Sequence, residues 1–359
     1  MLRNSAQKMV LQQLLGLKDV IWSPTFWFGK TNITWDDFED VNTSTYELLY
    51  PIPIAILLLV SRTMVVGSVY EKFGPSMGMK NSPRRKSCTN ETLETVYLSN
   101  KNPDKNEIIK TAVKSGMSQR QAERWLRKRS KTDSPTKSEK LIETTWRAIY
   151  YLGMWIYGSY ILFQKQWVWD TRYCWYGYPH HRVEDETRRY YMVQLTFYWF
   201  LTCSQINGDS GKRRKDFWQM LLHHIATISL INFSWVLNMV RAGMLVLVLH
   251  DSADVLLEIA KVCKYANLQK ACNSVFALFV LTWIVTRLYI YPKYVVYTTV
   301  FESAEIVGLA PVYYVMNAFM VFLLVLHVIW TYYIIKALEK ALKQDGNIEK
   351  DERSSSDSD

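Results

Sequence analysis

The sequence has little cysteine: there are five in 359 residues, with no C-x-x-C and no regular paired spacing. This excludes a zinc ribbon and a disulfide-stapled domain. Disorder over the whole chain is excluded as well, because 49% of the residues are hydrophobic and 14% are aromatic. The chain is therefore rich in apolar contacts, with aromatic side chains of the kind found in cores and at lipid interfaces.

Acidic residues are outnumbered, with 33 Asp and Glu against 43 Lys and Arg and a formal net charge of +10. Nearly all of this excess lies in one segment, since residues 71–140 carry 17 Lys and Arg but only 8 Asp and Glu. The rest of the chain is close to neutral. Basicity is a property of this one segment.

Hydrophobic residues are grouped in stretches of about 20, the length that an α-helix needs to cross a bilayer. The predicted spans cover residues 46–68, 145–164, 190–206, 217–240, 243–262, 272–292 and 312–335. A buried helix of a soluble domain is the alternative for any single stretch, but seven stretches with few polar linkers disfavour it. We predict an all-α, polytopic membrane protein with about seven transmembrane helices.

Orientation follows from the basic residues, which concentrate on the cytoplasmic side of membrane proteins. With seven spans, the basic residues in 71–140, 212–215 and 336–340 all fall on one side, so the N-terminus is expected to be lumenal. Two glycosylation sequons, at Asn32 and Asn42, agree with this orientation.

The C-terminal tail is polar and is expected to be disordered in the cytosol. Its serines precede or neighbour acidic residues, so they are candidate phosphorylation sites, with a plain solubilising tail as the alternative. The candidates are Ser354, Ser355, Ser356 and Ser358.

The basic segment is predicted to form three short helices, at residues 91–98, 104–114 and 118–131. The third contains Trp125-Leu126-Arg127-Lys128-Arg129, which resembles the recognition helix of a homeodomain. Aligning the tryptophans puts Lys128 where that family has its adenine-reading Asn, and Lys cannot make the same bidentate contact. We therefore expect a homeobox-like cytosolic domain that faces anionic headgroups or acyl-CoA phosphates, and DNA binding is disfavoured.

Polar residues inside spans are costly and mark function by default. The fourth span carries His223 and His224, and the fifth carries Asp251 and Asp254. The two carboxylates are three residues apart and share a helical face. A tight turn at residues 241–243 is expected to join the two helices, so that the four side chains converge within the bilayer.

Four interpretations fit these side chains. Two His and two Asp can bind a metal ion, or they can form a proton path. In an acyl-transfer site, His serves as base or nucleophile while Asp orients it and balances its charge. Buried ion pairs that only lock two helices together are the structural alternative.

The same residues belong to longer motifs. The segment 215–227, followed by Leu249-His250-Asp251-Ser252-Ala253-Asp254, resembles the Lag1 motif of ceramide synthases, in the TRAM-LAG1-CLN8 (TLC) membrane family. Further agreeing segments are 167–170, 174–179, 190–191, Arg287 and 291–292. The resemblance covers about residues 45–340 and favours acyl transfer without any metal ion.

The resemblance implies N-acylation of a sphingoid base by a fatty acyl-CoA in the endoplasmic reticulum membrane, with acyl-CoA as a co-substrate and no cofactor. The catalytic residues would be His223, His224, Asp251 and Asp254. A histidine acts either as the base that deprotonates the amine or as a nucleophile that forms an acyl-imidazole. A non-catalytic lipid sensor and a membrane-tethered transcriptional regulator are the alternatives.

Further candidates depend on the same resemblance. Substrate binding would involve Lys212, Arg213, Arg214, Lys215, Trp218, Thr227, Arg241 and Arg287. Acyl-chain length would be measured in the connection between the last two spans, with Phe301, Glu302, Glu305 and Leu309 as candidates. A second histidine pair, His180-His181, is interpreted as solvated in a lumenal loop.

The expected organisation has five parts: a lumenal segment (1–45), a first transmembrane helix (46–68), the homeobox-like domain (80–132), a six-helix TLC domain (140–338) and an acidic tail (339–359). The expected partners are acyl-CoA, a sphingoid base and membrane lipids. A homodimer or a heterodimer with related synthases stays open.

Overall fold

A computed structural model describes residues 23–29, 33–38, 43–73, 90–100, 103–133, 136–207 and 216–343. In these ranges the chain is helical and contains no β-strand, so the all-α prediction is confirmed. Some predicted sites lie outside the described residues: Asn32, Asn42, Lys212, Arg213, Arg214, Lys215 and the four tail serines.

The helices, in chain order, are α1 (Pro24–Phe28), α2 (Pro51–Phe73), α3 (Glu91–Ser99), α4 (Lys105–Lys114), α5 (Gln119–Asp133), α6 (Lys137–Phe163), α7 (Gln166–Trp169), α8 (Asp185–Ile206), α9 (Phe217–Val236), α10 (Val240–Tyr265), α11 (Gln269–Ile306) and α12 (Pro311–Lys343). Short 3-10 turns cover Trp35–Phe38, Thr45–Leu49 and Thr171–Cys174.

Three helical stretches of the described chain are long and apolar enough to cross a membrane by length and composition. They are Thr45–Arg62, Gln269–Ile306 and Pro311–Lys343. Helices α6, α8, α9 and α10 are long but carry more polar residues. The membrane character is thus supported, while the count of seven spans stays a prediction.

Helix α10 lies at the centre of the bundle and packs on α6, α9 and α11. Its close approach to α6 depends on Gly158, because a Cβ there would meet Val248 at 2.6 Å and the Tyr190 ring at 2.7 Å. A small residue at such a crossing lets two helix backbones come together. Buried aromatic side chains fill the space on both sides of α10, among them Trp235 and Tyr291.

The connection between α9 and α10 differs from the predicted turn at residues 241–243. Helix α9 ends at Val236, and Asn238 adopts a positive φ of 50°, a conformation that Asn tolerates better than most residues. Gly243 lies inside α10 for a packing reason, since a Cβ there would overlap the Tyr191 hydroxyl. The glycine marks a close contact between helices, and the turn lies a few residues earlier.

The predicted loop after the sixth span is also largely helical. Helix α11 is α-helical over Gln269–Trp283, π-helical over Ile284–Val296 and Thr298–Glu302, and α-helical again over Ser303–Ile306. Pro292 lies in the π-helical part, and its missing N–H interrupts the usual hydrogen-bond ladder. The helix therefore continues past the predicted end of the span.

The basic segment contains three helices close to the predicted positions, α3, α4 and α5. They bury a small core that includes Leu93, Tyr97 and Trp125. Arg129 donates hydrogen bonds to the carboxylate of Glu94 at 2.8 to 3.0 Å and lies over the Tyr97 ring. Whether this unit is a homeodomain relative stays a prediction.

The helix bundle has two ends, the Phe217 end and the Phe28 end. The Phe217 end contains the start of α9, the end of α10 and the end of α12. The Phe28 end contains α1, the start of α10 and the start of α12, and Phe28 packs there with Leu237 and Val312.

Candidate functional site

The first predicted histidine pair lies in α9, between one and two turns from its start. Consecutive residues of a helix point in different directions, and the two rings face different neighbours. The His223 ring lies 5.2 Å from Trp330 of α12, and the His224 ring lies 6.2 Å from Tyr198 of α8, measured between centroids. His224 is buried and His223 is half-buried.

The carboxylate of Asp251 is fully buried against α8. Its Oδ2 accepts hydrogen bonds from the Tyr190 hydroxyl at 3.1 Å and from the Gln194 amide. Gln194 also donates to the Tyr190 hydroxyl at 3.0 Å, which closes the triangle. The second oxygen, Oδ1, is buried and has no hydrogen-bond partner among the described residues. Asp251 therefore has a fixed orientation and one open acceptor.

The second carboxylate, Asp254, faces α11. Its Oδ2 lies 3.7 Å from Nη2 of Arg287, a guanidinium that is buried and lies over the Trp283 ring. The same Nη2 donates to the backbone carbonyl of His250 at 2.6 Å. Nε and Nη1 of Arg287 have no hydrogen-bond partner within the described part of the chain. The site thus contains a positioned cation with two open donors.

A third pair of imidazoles, His250 and His327, joins α10 to α12. Their Nε2 atoms lie 3.1 Å apart, and Nδ1 of His250 lies 2.7 Å from the carbonyl oxygen of Val246. Because a carbonyl only accepts, Nδ1 of His250 carries a proton, and a neutral His250 then has a lone pair on Nε2. His327 must donate to it, so the hydrogen bond fixes the tautomers of both rings.

Two residues of the polar network around Asp251 and His250, His327 and Gln194, lie outside every sequence motif described above. His327 is a lone histidine in a long apolar span, and the cost of burying it was a signal that could have singled it out. Gln194 gave no comparable signal, because its role depends on the carboxylate that α10 brings to it. A single sequence does not reveal which helices pair.

An apolar cavity begins beside the histidines and runs to the Phe28 end. It encloses about 1030 Å³ of empty space, part of which is open to solvent. Tyr198, Thr227 and His250 line it nearest the histidines, and Phe28 and Ile33 line it at the other end. Its walls come mainly from apolar side chains of α9, α10 and α12.

The metal interpretation has little geometric support. Across the described ranges, no group of three or more His, Cys, Asp or Glu side chains is placed to hold a metal ion. Asp251 is held by α8 and Asp254 faces Arg287, so the two carboxylates point to different partners. The arrangement fits acid–base chemistry better than coordination of a metal ion.

The predicted substrate-binding residues in the described chain fall into four places. Arg287 lies in the polar network, and Thr227 lines the cavity and donates to the backbone carbonyl of His223 at 2.9 Å. Trp218 is exposed at the start of α9. Arg241 lies at the Phe28 end, away from the histidines, where it donates to the Tyr173 carbonyl at 2.7 Å.

The predicted chain-length segment contributes to the cavity, but through other residues. Thr299, Ser303 and Val307 line it. Phe301, Glu305 and Leu309 are exposed, and Glu302 accepts a hydrogen bond from Thr171 at 2.7 Å. The helical conformation of residues 298–306 explains the difference, because it turns only one face of this segment toward the cavity.

The second histidine pair is solvated only in part, which corrects the prediction. His180 is 61% exposed, whereas His181 is buried and its Nε2 contacts the Tyr176 carbonyl at 2.7 Å. Burial lowers the pKa of His181 to about 4, although the hydrogen bond to Tyr176 opposes the shift. His181 is a structural residue of the loop.

Comparison with known proteins gives a consistent result. The TLC domain family matches residues 140–336. Ceramide synthase 5 of Mus musculus is 38% identical over 340 residues, covering 93% of this chain and 81% of its own. Ceramide synthase 4 of Bos taurus is 34% identical over 345 residues (94% and 86%), and ceramide synthase hyl-1 of Caenorhabditis elegans is 31% identical over 350 residues (93% and 83%). The chain belongs to the TLC domain family and, within it, to the ceramide synthases.

Proposed function

We propose that this protein transfers a fatty acyl group from acyl-CoA to the amine of a sphingoid base, giving ceramide or dihydroceramide and CoA. The observation that carries the proposal is that the neighbours of the histidine pair line an apolar cavity: Thr227, which donates to the His223 carbonyl, and Tyr198, whose ring lies 6.2 Å from that of His224. The ceramide synthase relatives, which match most of the chain, favour the same reaction. No cofactor enters it.

The reaction needs a base because a sphingoid amine is cationic near neutral pH and attacks only after it loses a proton. An imidazole of the His223-His224 pair takes this proton, and the nitrogen lone pair attacks the thioester carbonyl carbon. The carbon–sulfur bond breaks and the nitrogen loses its second proton; one of the two protons goes to the leaving thiolate to give CoA, and the other passes to water. In the covalent variant, a histidine nitrogen attacks the thioester and expels the CoA thiolate, and the amine then attacks the acyl-imidazole and expels the imidazole.

The charged groups have complementary roles. The open Oδ1 of Asp251 accepts a hydrogen bond from the incoming ammonium, and Tyr190 and Gln194 hold the carboxylate in place for it. The open donors of Arg287 are available to the thioester oxygen, on which negative charge develops. Asp254 balances the charge of Arg287.

The membrane arrangement belongs to the same proposal. Seven spans in the endoplasmic reticulum, with the N-terminus lumenal, place the Phe217 end at the cytosol and the Phe28 end at the lumen. CoA then stays in water beside the basic residues 212–215 while its acyl chain enters the cavity. The three-helix unit lies in the cytosol on this topology and acts through its basic surface at the membrane, not on DNA.

Alanine substitution of the histidines tests the proposal. His223→Ala, His224→Ala and the double variant should insert in membranes normally but lose at least about 100-fold in N-acyltransfer activity. His180→Ala is the matched control, because this histidine is exposed at the other end of the bundle. Wild-type activity in the double variant would end the mechanism.

Intact-protein mass measurement separates the two chemical routes. After incubation with acyl-CoA alone, an added acyl mass that disappears in one of the two histidine variants supports the covalent route. The base mechanism leaves the mass unchanged. We expect His223 to be the more sensitive of the two positions.

A further inference from the structure

The end of the cavity opposite the histidines is closed by residues that precede the first long helix. These residues, α1, Gly29 and 33–38, are called the Phe28 segment. Phe28 is 1% exposed and packs with Leu237, Ala310 and Val312. Both Phe28 and Ile33 line the cavity, so part of its end wall comes from outside the six long helices α6, α8, α9, α10, α11 and α12.

The Phe28 segment has a defined internal structure. The Phe28 ring stacks on Phe38 at 5.5 Å and meets Trp35 edge-on at 5.1 Å between centroids. Gly29 ends α1 with φ of 62°, and a Cβ there would lie 3.1 Å from Pro311, so a glycine suits both the turn and the close approach to α12. The aromatic cluster holds Phe28 rigidly against the cavity.

The residues that follow the Phe28 segment, Ser44 and Glu47 among them, are anchored to the bundle by polar contacts. The indole N–H of Trp235 donates to the Ser44 carbonyl at 3.1 Å, and Glu47 pairs with Arg188 at 3.3 Å. On the other side, Phe38 meets the Tyr178 ring at 6.4 Å. The Phe28 segment itself contacts the loop before α8 through Phe38 and α9 through Trp27, whose ring lies 5.8 Å from Phe233, and the residues that follow it are tied to α8 and α9.

The length of the cavity depends on the position of the end wall formed by Phe28 and Ile33. The cavity residues of α12 run from Val312 to Leu323, which corresponds to roughly 16 Å along the helix. Under the proposed function, on which this inference rests, the thioester lies beside the histidines, so the methyl end of the acyl chain points toward the Phe28 end. We infer that the Phe28 segment acts as the stop for the acyl chain, with Phe28 and Ile33 as specificity-determining residues.

The test uses the full-length protein in membranes of a host without this activity. An equimolar mixture of saturated acyl-CoAs of increasing length is given with one sphingoid base, and the products are resolved by mass spectrometry. Phe28→Ala and the milder Phe28→Leu open the wall, whereas Ile33→Phe fills it. Phe26→Ala is the control, because Phe26 lies on the same short helix but is 48% exposed and does not line the cavity.

The wall variants should shift the profile in opposite directions. In Phe28→Ala, the product whose acyl chain is two methylenes longer should increase relative to the main wild-type product by roughly tenfold. The reason is that each buried methylene changes binding by about fourfold, and two methylenes are added. Phe28→Leu should give a smaller shift of the same sign, and Ile33→Phe should favour shorter chains. A ratio does not depend on protein abundance. Phe26→Ala should keep the wild-type profile.

A second arm varies the sphingoid-base length at one acyl-CoA, and the wall variants should leave its profile unchanged. A shift confined to this arm would overturn the inference, because the base would then occupy the cavity. Unchanged acyl profiles in all wall variants of an active enzyme would overturn the Phe28 stop but leave the proposed function standing. A wild-type protein that acylates no sphingoid base would remove both.

Discussion

The two ends of the cavity are built from different chemistry. Near the histidines, five helices, α8 to α12, contribute charged and polar groups, and hydrogen bonds orient several of them, as in the triangle of Asp251, Tyr190 and Gln194. At the Phe28 end, aromatic and aliphatic side chains form the cluster around Phe28, and polar side chains such as Arg241 and Asn238 donate to backbone carbonyls of the neighbouring loop. Groups that react must be oriented, whereas a wall that stops an alkyl chain needs only shape and rigidity.

This difference predicts how substitutions behave. Changes near the histidines should alter the reaction rate with little effect on which acyl-chain length is preferred. Changes at the Phe28 end should alter the preferred chain length or the stability with little effect on the chemical step. The predictions below test this separation.

The largest effect is expected at the ion pair of Asp254 and Arg287. Asp254→Ala removes the carboxylate beside a buried guanidinium, and breaking a buried pair typically costs 3–5 kcal/mol. Because the Asp254 side chain is 27% exposed, we expect about 2 kcal/mol, together with loss of most activity. Thermal inactivation in detergent and initial rates in membranes measure the two effects.

The double variant Asp254→Ala/Arg287→Met sharpens this test. It removes both charges and should recover much of the lost stability without recovering the activity. Stability and rate would then be separable at this pair. If Asp254→Ala alone kept wild-type rate and stability, the proposed role of the pair would be wrong.

A smaller effect is expected at His327, because its hydrogen bond orients His250, which lines the cavity near the histidine pair. His327→Leu removes the donor to Nε2 of His250 and should lower kcat by roughly tenfold, the equivalent of one buried hydrogen bond. His327→Gln keeps an N–H in a similar place and should restore most of the rate. Because a purely structural role would change abundance alone, kcat, KM and the pH–rate profile are measured for both variants.

The outcome at His327 depends on the neutral tautomers derived above. Equal rates in His327→Leu and His327→Gln at normal abundance would contradict the positioning role.

The sequence predicted the helical class, and it singled out residues of α9 and α10 as catalytic candidates, which stays a prediction. His223, His224, Asp251 and Asp254 stood out because polar groups in apolar stretches have few structural explanations. Partners across helices were not predictable, since Gln194 faces Asp251 only after α8 and α10 pack. A single residue type was also ambiguous as a sign of structure. Gly243 indicated a turn in the sequence, but in the structure it lies in α10 and makes room for the Tyr191 hydroxyl.

The π-helical part of α11 was not predictable for a related reason. Pro292 normally favours the end or kink of a helix, and the sequence analysis accordingly ended the sixth span at this residue. In the structure the backbone changes its hydrogen-bond register and continues, while Tyr291 donates to the Met320 carbonyl of α12 at 2.9 Å. The π-helical part packs on α12, and a single sequence does not show which helices pack together.

A still smaller effect is expected for Arg241, which tests the Phe28 end. Its guanidinium donates to the Tyr173 carbonyl and lies 5.0 Å over the Trp167 ring. Arg241→Ala should cost about 1–2 kcal/mol of stability with kcat unchanged, and Arg241→Lys should not restore it fully, because Lys lacks the planar group. Loss of rate at normal stability would instead place Arg241 in substrate binding.

The smallest effect is a pH dependence that originates in the loop at the same end. Burial holds His181 neutral with a pKa of about 4, whereas an unfolded histidine titrates near 6.5. Between these values the unfolded state binds more protons, so the contribution of His181 is complete above about pH 6.5 and is lost as the pH falls toward 4. The thermal midpoint in detergent should fall between pH 7 and pH 5, by on the order of 2 °C from this residue. His181→Gln, which keeps a donor for the Tyr176 carbonyl, should remove this part of the dependence, and His180→Gln at the exposed neighbour should keep it. An identical pH dependence in both variants would show that His181 does not contribute, and the stability of the loop would then rest on its aromatic contacts and on the hydrogen bonds that Asn238 donates to it.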